Sequence, residues 1–478
     1  MDTLLLFLFT LLLLPLAGLV RLTYKLAALQ QSQHRKMEEA GGGDAGQEAM
    51  IEKLSYARGF LYFGIVLVSI LMAAVFYLLI EGTVYEGHFR EWLNITVRLL
   101  HITFGIAWIG TSFYFVFLEN ALNRTKNVRD ELAGNLWAVH GGGFYYLEKY
   151  KLAPKAVPRE LHWFKYEAYF TWISGFSLLF VVYYFNANAF LIDPSVRGLS
   201  PPAAIGIGVA SLALGWLAYD RLCKTRMVHR PLLFALVGFL ACCGFAYFYS
   251  QVFSGRAAYI HFGALLGTLM AGNVFFVIIP AQKAMVHAAK NHLPLDPNLG
   301  KFAGLRSLHN NYLTLPVLFV MISNHFPSTF GHEYPWAVLM AISLGTAGIK
   351  HYLNLREKGQ QSVWVMPASI VLLLSIAFYT APVPKGGACT EPVPFDRVYA
   401  IIKARCQSCH SSRPSDDTWT APPNGVVYDT PADIAKLTDK ILLRAVLTET
   451  MPPNNKTGIT PEERDALRCW IEQGAEVR

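Results

Sequence analysis

Long apolar runs separated by short charged segments fill the chain up to residue 381. A transmembrane helix needs about 20 mostly apolar residues, and ten runs approach or reach that length, although the eighth and ninth are short. The pattern therefore predicts an all-α fold whose main part is a polytopic transmembrane bundle of about 10 spans. The predicted spans are 3–20, 59–80, 94–118, 167–187, 203–219, 232–250, 259–281, 311–325, 336–350 and 363–381.

The charges between these runs predict the orientation of the bundle. Alternate loops carry twenty-five Lys and Arg residues, whereas the opposite loops carry only Arg90, Arg197 and Arg256. Because Lys and Arg accumulate in cytoplasmic loops, we expect the bundle to lie in a bacterial inner membrane. Its N-terminus and everything after residue 382 are then expected in the periplasm. The charged loops are 21–58, 119–166, 220–231, 282–310 and 350–362.

Composition points to the same class of protein. Hydrophobic residues make up 53% of the chain and charged residues only 15%, against about 25% charged residues in an average soluble domain. Too little polar surface remains for a water-soluble protein of this size. The net charge of +8 is assigned to loops that face anionic lipid, so membrane lipid and not nucleic acid is the predicted partner.

Composition shifts divide the chain into four parts. Residues 1–87 are predicted to add N-terminal spans, and they contain a Gly-rich linker at 41–46. Asp2 stands where a signal peptide has positive charge, so we expect a retained first span and not a cleaved signal. The remaining parts are a transmembrane domain at 88–382, a Pro/Gly-rich linker at 383–394 and a soluble domain at 395–478.

The soluble part carries the most specific motif of the chain. Cys406-Gln-Ser-Cys409-His410 has the spacing of a c-type haem attachment site, in which both thiols form thioethers and the His binds the iron. A redox dithiol is the alternative. His410 is the only His and Met451 the only Met of this part, so a His/Met axial pair is predicted. Helices on both sides of a Met loop resemble a class I cytochrome c domain.

Two further cysteines flank this motif. Cys389 lies in the linker and Cys469 near the C-terminus. In an oxidising compartment they are candidates for a disulfide between the linker and the last helix.

Ionisable and amide side chains in the third span suggest a substrate site. Glu91, Asn94, Arg98 and His101 follow one another at intervals of three or four residues, which places Arg98 and His101 on one helical face. An Arg in a dry cavity holds a planar anion through paired hydrogen bonds. Alternatively, these residues bind neighbouring helices or a b-type haem. His261 and the Asn324–His325 pair lie in the same outer part of the predicted bundle, and His325 is predicted to be catalytic together with Glu91, Asn94, Arg98 and His101.

A second polar group is predicted on the cytoplasmic side, around His140-Gly-Gly-Gly, His162 and His309. The three glycines permit either a close approach of backbone to a ligand or a turn. The sequence has no Walker motif, which nucleotide-binding proteins carry, and no G-x-S-x-G, which esterases carry.

Taken together, these blocks resemble the membrane-bound, cytochrome c-linked urate oxidases (urate hydroxylases) of bacteria over roughly residues 88 to 478. Residues 1–87 are a departure from that family. The matching blocks are EWLNITVRLLHITFGIAWIGTSFYF, LWAVHGGGFYYLEKYKLAP, LHWFKYEAYFTWISGF, LRSLHNNYLTLPVLFVMISNHFP and the domain with CQSCH.

The resemblance implies oxidation of urate to 5-hydroxyisourate, with electrons leaving through the c haem to a terminal oxidase or soluble cytochrome. A His is expected to accept a proton during the reaction. If urate binds in the outer half, no further carrier is required. An inner site would require a b haem, for which His101 with His261 or His325 is the candidate pair. Another membrane dehydrogenase or quinol-type enzyme, and a non-catalytic electron-transfer anchor, remain as alternatives.

Overall fold

The structure is a computed structural model that describes residues 17–32, 45–83, 85–158, 161–360, 362–381, 383, 386–416, 418–419 and 421–477. Most of the first predicted span therefore lies outside the described residues. The chain divides into two compact units, Met1–Trp92 and Leu93–Arg478.

Helices dominate the described residues, as predicted. Residues 17–32 form α1. Residues Leu179–Tyr184, Ala187–Leu191, Asn273–Ile278 and Leu442–Leu447 are π-helical. The other helices are α2 Ala45–Ile80, α3 Tyr85–Ala121, α4 Tyr166–Leu178, α5 Pro201–Cys223, α6 Pro231–Ser250, α7 Gly255–Gly272, α8 Ile279–Lys290, α9 Pro297–Ile322, α10 Pro327–Phe330, α11 Pro335–Glu357, α12 Val365–Tyr379, α13 Phe395–Arg405, α14 Pro431–Ala435, α15 Thr438–Ile441 and α16 Pro461–Glu472.

Five helical segments within the described residues are long and apolar enough to cross a membrane, and α12 is a shorter apolar helix. The count of ten spans remains a prediction, because α9 and α11 have the length but carry polar and charged side chains along their buried faces. The five segments are Tyr56–Ile80, Tyr85–Ala121, Pro201–Cys223, Pro231–Ser250 and Gly255–Lys290.

The segment between α3 and α4, predicted as a loop, contains an antiparallel hairpin. Strands β1 (Leu132–His140) and β2 (Gly143–Tyr150) pair directly up to His140 and Gly143. Gly141 and Gly142 form the two-residue turn with φ of 57° and 80°, the left-handed conformation that tight hairpins need and that glycine adopts without strain. The glycine run is therefore a turn, which was one of the two predicted alternatives.

We call residues 93–381 the helical body. Its core lies where α5, α6, α7 and α9 pack together. Close approach of α7 and α9 depends on Gly263, because a Cβ there would lie 2.4 Å from Cγ1 of Val320. A π-helical turn inserts one extra residue into a helix. In the π-helical segment that follows α4, the consecutive residues Tyr183 and Tyr184 are both buried. These side chains lie near the end of the body that meets the C-terminal domain.

The C-terminal domain, residues 395–477, has a separate hydrophobic core in which α13 packs against α16. Helix α16 begins with a capping box, since the Thr460 side chain accepts a hydrogen bond from the Glu463 N–H and the Glu463 carboxylate accepts one from the Thr460 N–H. The predicted disulfide between Cys389 and Cys469 is confirmed. It joins the linker to α16.

Candidate functional site

The two cysteines of the CQSCH motif lie in the turn that follows α13. The backbone N–H groups of Cys409 and His410 both donate to the carbonyl of Cys406, at 3.2 and 2.9 Å, so the motif continues the helix by one turn. Both thiols are free, unlike Cys389 and Cys469. This arrangement places two thiols and an imidazole at one helix end, as the thioether chemistry of a c-type haem requires.

The imidazole of His410 is held in one orientation. Its Nδ1 lies 3.0 Å from the carbonyl oxygen of Val426, which can only accept a hydrogen bond. The proton therefore resides on Nδ1, and Nε2 keeps the lone pair that binds a metal. Tyr428 packs its ring against His410 with centroids 5.4 Å apart, and its N–H donates to the His410 carbonyl.

The thiols do not have the electrostatics of a redox dithiol. Burial raises the pKa of the Cys406 thiol to about 12, and burial also raises the pKa of Cys409. Reactive dithiols show the opposite shift, because a thiolate is the nucleophile. The surroundings of the two cysteines therefore favour the neutral thiol form.

Met451 lies in a loop that is fixed from both sides. Its backbone N–H donates to the carbonyl of Arg444 at 2.9 Å, and its own carbonyl accepts from Nη1 of Arg464 at 2.9 Å. The same guanidinium donates to the carbonyl of Ala445. Arg464 is only 8% exposed and therefore positions the loop from inside the domain. No sequence pattern marks Arg464, since an Arg on a helix with a polar face is common.

These residues fit a covalently attached haem. Two free thiols and an imidazole with an available Nε2 come from one turn, and a fixed loop supplies a thioether. Within the described residues, no group of three or more His, Cys, Asp or Glu side chains could hold a bare metal ion.

The C-terminal domain rests directly on the helical body, along a surface that we call the seam. The Asn454 amide donates to the carbonyls of Ala189 and Ile192 at 3.3 and 2.5 Å. The ring of Trp419 lies edge-on to Phe190 with centroids 5.7 Å apart. The seam thus involves the loop that carries Met451 and the chain between α4 and α5.

Polar side chains of the helical body gather beneath the seam. Arg256, in the first turn of α7, donates from Nε to Oδ1 of Asn324 at 3.1 Å, and its guanidinium lies 5.2 Å from the ring centroid of Phe190. The Asn324 amide donates to the hydroxyl of Tyr183 at 3.1 Å. The sequence showed Arg256 only as one of three basic residues in the loops that carry few charges.

The predicted third-span residues lie on α3, and their role in substrate binding remains a prediction. Arg98 is exposed, and among the described residues its guanidinium donates to Oδ1 of Asn94 in its own helix, at 3.1 and 3.3 Å. Glu91 is exposed. His101 is partly buried and bonds through Nδ1 to the carbonyl of Thr171 at 3.0 Å. No hydrogen bond or ion pair within the described part of the chain joins these residues to His325.

His325 is exposed and follows Asn324 in the turn after α9. It therefore lies next to the seam, and its assignment as a catalytic residue remains a prediction.

A b haem does not fit His261. Its Nδ1 bonds to the carbonyl of Ala257 at 2.9 Å and its Nε2 to the hydroxyl of Tyr184 at 3.0 Å, in a position with no exposure to solvent. Neither ring nitrogen is available for iron while these bonds last. The candidate pair of His101 and His261 is therefore not supported by the contacts of His261.

A second buried polar network lies at the other end of the body. Arg306 is fully buried in α9 and pairs with Asp220 of α5 at 2.7 Å, and Nη1 donates to Oδ1 of Asn273 at 3.0 Å. Lys350 is 3% exposed and lies over the ring of Phe113, 4.2 Å from its centroid. Both charges were counted as cytoplasmic loop charges from sequence, and that interpretation is wrong for these two residues.

Comparison with known proteins relates the larger part of the chain to a described family. The family described as urate oxidase N-terminal matches residues 87–381, which is more than half of the chain. No curated protein and no solved structure matches it. The matched range covers α3 to α12, from the side chains of the third span to the polar groups beneath the seam. The chain belongs to the urate oxidase N-terminal family.

Proposed function

We propose that this protein is an integral-membrane oxidoreductase that oxidises urate to 5-hydroxyisourate and passes the electrons through a covalently bound c-type haem to the respiratory chain. The supporting observation is that a domain with a Cys406-Gln-Ser-Cys409-His410 turn and a fixed Met451 loop rests directly on a body of the urate oxidase N-terminal family. A urate-related reaction and an electron acceptor are thereby combined in one chain.

The overall reaction balances with water as the oxygen source. Urate and one water give 5-hydroxyisourate, two protons and two electrons. A c-type haem, when attached, supplies a one-electron acceptor, so the two electrons leave one after the other. The residues of the chain have three tasks: to hold a planar anion, to accept protons and to fix the acceptor at a short distance. Cys406, Cys409, His410 and Met451 serve the third task.

The proposed arrangement in the cell follows the charge pattern of the loops. The C-terminal domain faces the periplasm of a bacterial inner membrane, and a terminal oxidase or a soluble cytochrome takes the electrons. The substrate lies beneath the seam, in the outer half of the body, because this position needs no b haem between the substrate and His410.

Anaerobic addition of urate to purified membranes tests the function. We expect the c-haem absorption bands to change from the oxidised to the reduced form, and 5-hydroxyisourate to appear without hydrogen peroxide. The Cys406→Ser/Cys409→Ser variant should lack covalent haem and show no urate-dependent reduction. If urate leaves the haem oxidised while a quinol reduces it, the protein is a different membrane dehydrogenase and the proposal is wrong.

A further inference from the structure

The turn after α10 lies against the residues that precede Met451. A Cβ at Gly331, in this turn of the helical body, would lie 2.8 Å from Cγ2 of Thr450 and 3.0 Å from the carbonyl oxygen of Thr448. Thr448 is also held from inside the C-terminal domain, since its Oγ1 donates to the carbonyl of Leu443 at 2.7 Å. The approach leaves no room for a side chain at Gly331, so the two surfaces meet backbone to backbone.

The residues that follow Met451 contact a second part of the helical body. The Asn454 amide donates to the carbonyls of Ala189 and Ile192, at 3.3 and 2.5 Å. Both carbonyls lie at the C-terminal end of the π-helical segment Ala187–Leu191, and the last carbonyls of a helix have no partner within it. The helical body therefore contacts the loop within three residues of Met451 in both directions.

Inside the C-terminal domain, Met451 is bonded through its backbone. Its N–H donates to the carbonyl of Arg444, and its carbonyl accepts from Arg464. These bonds hold one peptide unit, whereas the path of the loop on either side is set against the helical body. A methionine that left the iron of an attached haem would carry this loop with it. The contacts of Gly331 and Asn454 would then be lost.

We propose that the helical body holds Met451 in place as the axial ligand, with Gly331 and Asn454 as positioning residues. Docking of the C-terminal domain and methionine ligation are then linked. The inference rests on the proposed function, since it requires the covalent haem. Such coupling is reciprocal: docking favours ligation by Met451, and ligation favours docking. Because a methionine ligand raises the potential of a c-type haem, the docked domain is the stronger electron acceptor.

Titration of the ferric full-length holoprotein with imidazole, in detergent, tests the coupling. Imidazole binds the iron only where Met451 has left it, so its apparent affinity measures the population with the loop displaced. Two neutral hydrogen bonds correspond to roughly 30-fold in an equilibrium constant. We expect Asn454→Gly to raise the apparent imidazole affinity by up to about that factor and to lower the haem potential. Glycine tolerates the φ of 52° at this position, so the exchange removes the amide without backbone strain.

A second variant perturbs the same loop from the helical body. Gly331→Ala should shift imidazole affinity and potential in the same direction, because its Cβ displaces Thr448 and Thr450. Asn127→Gly is the control for the first variant, since Asn127 also has a φ of 52° and lies in the loop before β1. Gly198→Ala is the control for the second, since its Cβ meets nothing within 4 Å. Both controls should keep the wild-type imidazole affinity and potential.

Wild-type imidazole affinity and potential in both Asn454→Gly and Gly331→Ala would disprove the coupling, even if the variants unfold at a lower temperature. The two proposals fail in distinguishable ways. If urate reduces the haem while both variants titrate as the wild type, the function stands and the coupling is wrong. If the variants shift as expected but urate never reduces the haem, the coupling stands and the function is wrong. Absence of covalent haem from the wild type would overturn both.

Discussion

Replacement of Arg464 tests how the Met451 loop is held. This guanidinium is the donor to the carbonyls of Met451 and Ala445, and its side chain is almost fully buried. Arg464→Met removes both hydrogen bonds while it keeps the length of the side chain. The two carbonyls then lose their donor in a place that water reaches poorly.

The size of the effect follows from these two bonds. A hydrogen bond from a charged donor contributes about 1.5–3 kcal/mol, but the loss is smaller where water can partly replace the donor. We expect the conformation in which the Met451 loop is in place to lose about 3 kcal/mol of stability in total. Since 1.4 kcal/mol corresponds to a factor of ten, the population with Met451 displaced from iron should increase roughly 100-fold. Arg464→Lys keeps the charge and one donor, and should recover about half of the lost free energy.

The assay is the ferric methionine–iron charge-transfer band, followed during guanidinium titration of the full-length holoprotein in detergent. We expect the band of Arg464→Met to disappear at a lower denaturant concentration and the haem potential to fall. Arg397→Met, at an exposed position of α13, is the matched control and should behave as the wild type. A wild-type midpoint for Arg464→Met would show that this guanidinium does not position the loop.

Two further predictions concern the helical body, and thermal unfolding in detergent measures both. Gly263→Ala should lower the midpoint, since its Cβ would lie 2.4 Å from Val320 and overpacking costs about 1–3 kcal/mol. Gly267→Ala in the same helix meets nothing within 4 Å and should not lower it; equal midpoints would refute the close α7–α9 contact. Asp220→Asn leaves the buried charge of Arg306 without its carboxylate and should cost about 3–5 kcal/mol. Adding Arg306→Met should restore part of that loss, and no restoration would contradict the pairing.

The sequence predicted what short motifs and hydropathy determine. Cys406, Cys409 and His410 lie within five consecutive residues, so their spacing alone places them in one turn. The disulfide of Cys389 and Cys469 followed from the compartment and the absence of other partners. Helix positions followed from the length of the apolar runs, because backbone hydrogen bonds must be satisfied inside a bilayer.

Charges were the least predictable feature. A hydropathy window treats Arg306 and Lys350 as loop residues because it cannot see partners that are distant in sequence. Asp220, which pairs with Arg306, lies on another helix. The side chain of Arg256 likewise bonds to Asn324, 68 residues further along the chain. Such pairs form only when distant segments pack together, and a single sequence does not show which segments pack.

The third span shows what helical spacing leaves open. Arg98 and His101 share a helical face, as their spacing required, but Arg98 lies exposed beside Asn94. A common face brings side chains into line without showing what that face meets. Extra residues in the π-helical turns add to this difficulty, because they rotate the following residues away from a regular period of 3.6.

The bridge between Cys389 and α16 limits how far the C-terminal domain can move from the helical body. Only the chain between Tyr379, at the end of α12, and Cys389 then connects the two, and ten peptide units extend no more than roughly 35 Å. Rebinding across so short a connection is intramolecular, with an effective concentration in the millimolar range. A few contacts such as those of Asn454 are then enough to hold the domain on the helical body.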